Sequence, residues 1–151
     1  REDIMKSVLM WERRRVLEQT ELEQIIPVEM IEFTSPGRWH EVLNHIQGHK
    51  YFLNMEIEEE IAFEDAARSW YNALYLPIIE IIREENLISR FPNRTEADLY
   101  IWIIKHWHSL KEKYGQDYPL DQAASEYAAT HGRGFFQRHF KRLKRLLKIG
   151  S

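Results

Sequence analysis

Glu41, His45 and His49 recur every four residues, a spacing that lines them along one face of a helix. Asp98, Trp102 and His106 form a second stripe at the same spacing. Two imidazoles one helical turn apart can share a divalent cation, and a facing carboxylate would complete such a site. Glu41, His45, His49, Asp98 and His106 are therefore the candidate residues for a metal or small ligand held between two helices. The pattern lacks the Glu-x-x-His pairs of di-iron bundles, and His-Glu-x-x-His is absent too. A competing reading gives these imidazoles to hydrogen bonds across a helix interface or to loop caps. No cofactor is expected.

Catalytic sets are harder to assemble. His106 and His108 lie near Tyr100 and Lys105, but helix neighbours two apart point to different faces. Ser69 and Ser109 have no base at a useful spacing, and the six glycines are too scattered to cradle a phosphate. No catalytic residue is assigned.

The charge is more telling. The chain carries 21 basic and 24 acidic residues, net −3. From Tyr127 onward there are seven Lys or Arg and no acid, which leaves about −10 on the rest. On a helix over 134–149, Phe136, Phe140, Leu143 and Leu147 line one face. Arg138, Lys141, Arg142, Lys144, Arg145 and Lys148 cover most of the remainder. Such a helix could pack on the body as an ordinary terminal element. It could bring its charges to the phosphates of DNA or RNA, releasing counterions. It could also lie on an anionic membrane, or pair with another chain as a homodimer through its four-three-four apolar spacing. The acidic run Met55–Glu60 reads as a solvated helix end, or as a docking surface for a basic partner such as this tail.

The elements that must position these residues are helices. A chain of 151 residues with 44% hydrophobic and 30% charged residues suits one soluble domain spanning 1–151. It has no Cys, which excludes disulfides and thiolate metal sites and suits a reducing, cytoplasmic setting. No apolar run approaches the roughly 20 residues of a membrane span. The chain begins at Arg1 rather than Met, as a piece of a longer protein would.

Ile4, Val8 and Trp11, with Val16 and Leu17 extending the stripe, predict the apolar face of a helix over 4–18, beside a charged run from Glu12 to Arg15. Thr20 to Glu23 fits a capping box opening a short helix that Pro27 stops, followed by extended coil through Phe33. Ser35 and Pro36 fit an N-cap and first helical position, ahead of Trp39, Val42, Leu43 and Ile46 on one face. Another helix begins near Phe63, with Ala66, Trp70, Leu74, Ile78 and Ile82 inward and a kink at Pro77. Phe91-Pro92-Asn93 connects to a helix capped by Thr95 with Asp98 and ended by Gly115, and Pro119 opens the next.

These elements repeat. At an offset of 57, Ile46 meets Ile103, His49 meets His106, Leu53 meets Leu110, and Ala66-Ala67 meets Ala123-Ala124. The register predicts two helix–loop–helix units, about 36–75 and 94–130, each covering the apolar face of the other. Chance similarity between two amphipathic pairs is the alternative. The expected fold is all-α, a six- or seven-helix bundle with two pseudo-repeated units. If the two units pack about a pseudo-twofold axis, His49 and His106 could converge. Ala62–Ala67 and Pro119–Ala124 resemble the start of a helix-turn-helix, but no basic recognition helix follows either.

Thr34 to Leu53, Ser69-Trp70-Tyr71, Tyr75 to Ile79 and Arg94-Thr95-Glu96-Ala97-Asp98-Leu99-Tyr100 together resemble a known region. It is the helical part that follows the ParB/sulfiredoxin-like domain in some uncharacterised bacterial proteins. The last string, with His106 and Ala123-Ala124, also resembles an uncharacterised actinobacterial domain attached to lipopolysaccharide-kinase-like proteins. The resemblance covers roughly residues 10–130. It implies an accessory or interaction domain beside an upstream ParB-like domain, in proteins associated with DNA binding, nucleotide handling or nuclease activity. The ParB nucleotide motif Gly-x-His-Arg is missing, and His131-Gly132-Arg133-Gly134 has the wrong order.

Overall fold

The structure, a computed structural model, describes residues 2–131, and among these residues there is no strand. Six α-helical segments follow one another: α1 (Glu2–Thr20), α2 (Arg38–Ile57), α3 (Phe63–Trp70), α4 (Leu76–Glu84), α5 (Glu96–Tyr114) and α6 (Leu120–His131). A π-helical turn, Tyr71–Tyr75, joins α3 to α4 without a break, so the described residues form five helical rods. The expected count of six or seven included the basic helix 134–149, which lies outside the described residues. Among the described residues no helix is long and apolar enough to cross a membrane.

The π turn has a local cause. Pro77 has no N–H to give the carbonyl one turn back, and its ring crowds that turn. The chain answers by widening just before it, so the expected kink is a π turn. The register shift still leaves Trp70, Tyr75, Ile78 and Ile82 buried.

Two helix ends are built as the sequence predicts. Thr95 Oγ1 accepts from Asp98 N at 3.1 Å while Asp98 Oδ2 accepts from Thr95 N at 3.0 Å, a full capping box. Gly115, at φ 114°, ends α5.

Three expectations fail near the N-terminus. Thr20 does not open a helix: its hydroxyl donates to Val16 O at 2.8 Å and closes α1, and Leu22–Gln24 form only a 3-10 turn. Ser35 and Pro36 do not begin α2. Gly37 precedes it at φ 87°, a left-handed conformation that glycine takes without strain, and the helix starts at Arg38. Most of the apolar face expected of α1 points outward: Ile4, Val8 and Trp11 are 70%, 42% and 60% exposed. Val16 and Leu17, at the end of the same stripe, are buried as expected, and Glu12 is buried with them.

The core is shared by all five rods. Trp39, Val42 and Ile46 of α2 join Ala66 and Trp70 of α3, Ile78 and Ile82 of α4, and Leu99, Tyr100 and Ile103 of α5. α3 packs along α2, α6 along α5, and α4 against both α5 and α6. Arg83 clamps α4 to the start of α5 with two bonds to Glu96, at 2.6 and 3.0 Å. The cation sits in a last turn and the carboxylate in a first, so both helix dipoles favour the pair.

Candidate functional site

The two stripes open on carboxylates with different tasks. Asp98 is buried, and its Oδ1 accepts from Thr34 N at 3.1 Å. Its Oδ2 accepts from the Thr34 hydroxyl at 2.6 Å as well as from Thr95 N. The Thr34 hydroxyl accepts in turn from Arg94 Nη1 at 3.0 Å, and the Thr95 hydroxyl donates to Glu32 O. The Arg94 guanidinium also lies over Trp102 at 5.5 Å. Arg94, Thr95 and Asp98 thus tie the start of α5 to the segment ahead of α2. The lone pairs of Asp98 that would face a ligand are taken up by this junction.

His45 enters a different network. The Trp70 indole N–H donates to the Tyr100 hydroxyl at 2.9 Å, and His45 Nδ1 lies 2.9 Å from the same oxygen. The phenol proton needs an acceptor in this buried setting, and His45 Nδ1 is the acceptor within reach, so Tyr100 donates to it. That assigns the imidazole proton to Nε2. Burial, then His108 and Lys105, lowers the His45 pKa to about 4 against an opposing pull from Glu41. Burial drives the Tyr100 pKa strongly upward. At neutral pH both groups are uncharged, as a hydrogen-bonded core pair should be.

Glu41 lies one turn from His45. Its Oε1 accepts from Arg38 at 2.9 Å and pairs with Lys105 at 3.3 Å, while Oε2 is buried without a protein partner. Hollows of about 260 Å³, between α1 and Glu32–Thr34, and about 240 Å³, between α4 and α6, lie elsewhere. His45 lines neither.

His49 and His106 do not converge. His49 Nε2 lies 2.8 Å from Ser69 Oγ on α3, whereas His106 Nε2 lies 3.9 Å from Glu126 Oε2 on α6. The His106 ring also rests 6.0 Å from that of Tyr127. Burial lowers the His49 pKa, with Glu56 pulling it back. His49 thus belongs to the α2–α3 interface and His106 to the α5–α6 interface, while only Glu41 and His45 of the first stripe meet α5. Among the described residues no group of three His, Asp or Glu is close enough to hold a metal ion. The basic residues Arg138, Lys141, Arg142, Lys144, Arg145 and Lys148 lie outside the described residues. The acidic run is exposed at the end of α2, where Glu58 is left-handed at φ 56° and Lys50 reaches Glu60 at 3.4 Å.

Two residues that the sequence hides in a charged run anchor α1. Glu12 is buried, and its Oε1 accepts from Gly37 N at 2.7 Å, serving the amide end of α2. Arg13 donates to Ile31 O at 2.8 Å and Val28 O at 3.1 Å, with its guanidinium over Trp39 at 5.5 Å. The stretch expected as extended coil holds a 3-10 turn, Val28–Met30, and Arg13 gives two of its carbonyls a donor. The available signal was spacing: Glu12 and Arg13 sit four and three residues before buried Val16 and share its face.

Compared with known proteins, the chain matches no family model, no curated protein and no solved structure.

Proposed function

We propose that this chain is an accessory or interaction domain of a ParB-like bacterial protein, cytoplasmic, that contributes to DNA or RNA binding through its basic segment 134–149. One observation carries the reading: seven Lys or Arg and no acid follow Tyr127, on a chain otherwise near −10. The body supports it by what its polar groups already do. Asp98, His45 and His49 spend their bonds on helix junctions, and His106 lies against α6 beside Glu126 and Tyr127. The string from Arg94 to Tyr100, which carries much of the ParB-associated resemblance, is a structural clasp in this reading.

The same proposal includes a duplicated architecture, with an upstream ParB-like domain as the natural neighbour. Its support is a matched pair of contacts. His49 meets Ser69, and His106 meets Glu126, both pairs being related by the offset of 57 that aligns the sequences. Trp70 and Tyr127, also equivalent, are both buried, each one residue on from the partner of its imidazole.

Titrating a labelled duplex with the full chain at several salt concentrations tests the nucleic-acid reading. Binding that weakens steeply with salt supports it, and absence of binding at low salt rejects it.

A further inference from the structure

The N-terminal half of α1 stands clear of the body. Residues 3–8 are all exposed, and Ile4, Met5, Val8, Met10 and Trp11 are all large apolar side chains in water. Apolar clusters of this kind on a soluble surface mark contact sites. Ile4, Val8 and Trp11, followed by exposed Arg15, fall at spacings of four, three and four, the seam of a two-helix packing. The seam lies away from the face that Glu12, Arg13 and Val16 turn to the body.

Charge along the helix selects the occupant. Asp3 lies near the start of this seam, and Arg14 and Arg15 lie near its end, all three exposed. The chain's own segment 134–149 would bring Lys141, Arg142, Lys144 and Arg145 against Arg14 and Arg15. A second copy laid parallel would set Arg14 and Arg15 against themselves. A second copy laid antiparallel does the opposite: Asp3 of each chain approaches Arg14 and Arg15 of the other. Val8 then meets Trp11, and Ile4 meets the stem of Arg15, across a twofold axis.

We propose that the outer face of α1, centred on Ile4, Val8 and Trp11, is a self-association surface on which a second copy packs antiparallel. This proposal rests on other residues than the nucleic-acid reading does. Sedimentation equilibrium of the full chain tests it. The apparent mass should rise from 18.3 kDa toward twice that value as concentration increases from about 1 µM to about 1 mM, the range of a small interface. Val8→Glu with Trp11→Glu should hold the mass at the monomer value with helical circular dichroism unchanged. Asp3→Arg, at a residue that touches nothing in the core, should weaken association at least several-fold.

Orientation can be read separately, because the chain has no Cys. A mixture of Ile4→Cys and Arg15→Cys chains should form the mixed disulfide on oxidation, and Ile4→Cys alone should not pair with itself. A mass that stays monomeric at the highest concentration overturns the proposal. So does a dimer that survives the Val8 and Trp11 changes, or ready pairing of Ile4→Cys with itself.

Discussion

Trp70 donates its indole N–H to the hydroxyl of Tyr100 at 2.9 Å, with both side chains fully buried. That bond joins α3 to α5 at the centre of the core, and Tyr75 packs on Tyr100 at 4.9 Å between centroids. Removing the hydroxyl leaves a buried indole donor and the His45 acceptor without their partner. Tyr100→Phe should therefore lower stability by about 1–3 kcal/mol. Urea denaturation checks this, and an unchanged midpoint would mean that the bond contributes nothing.

The burial of His45 gives stability a pH dependence of defined sign. The His45 pKa is lowered from 6.5 to about 4, so between those values the unfolded chain takes up a proton that the folded chain refuses. Stability from this group is full above about pH 6.5 and is lost as pH falls toward 4, by about 3 kcal/mol at most. His49 and His108 are shifted the same way by burial and add to the trend. Urea midpoints should fall between pH 7.5 and pH 5, and His45→Gln should flatten the slope. Midpoints that hold or rise on acidification would contradict the assignment of a neutral, buried imidazole.

At the junction of α5 with the segment before α2, Asp98 accepts three hydrogen bonds, from Thr34 N, the Thr34 hydroxyl and Thr95 N. Asp98→Ala removes a helix cap and leaves two backbone amides short of an acceptor. The expected loss is about 2–3 kcal/mol. Amide exchange at Thr34 and Thr95 should speed up more than exchange within α6, which is not joined to this junction. A uniform change across the molecule would show that Asp98 is no local clasp.

How far the sequence could be read depends on how local the cause is. Thr95 with Asp98, and Gly115 after Tyr114, were legible because a cap and a left-handed glycine act within one turn. The inward stripes of α2 and of the α3–α4 rod were legible because their hydrophobic faces are also their core faces. α1 misled because its most apolar stripe faces water, while its anchors are charged. Glu12 reaches Gly37, 25 residues on, and Arg13 reaches Ile31, 18 residues on. Nothing in a periodicity announces such distant partners. The His stripes were legible as helix faces, with a ligand site and interface contacts both open: spacing places His49 and His106 on those faces, and only the packing shows that each faces its own neighbour, α3 or α6.

The proposed engagement of nucleic-acid phosphates by the basic segment is tested by the salt dependence of binding to a short labelled duplex. The full chain should bind at low salt, with affinity falling linearly on logarithmic axes by roughly 0.9 per phosphate neutralised. Changing Lys141, Arg142, Lys144 and Arg145 together to Glu should abolish binding while leaving the thermal melt of the body unchanged. No binding by the unaltered chain at low salt, or equal binding by the charge-reversed chain, would contradict the account.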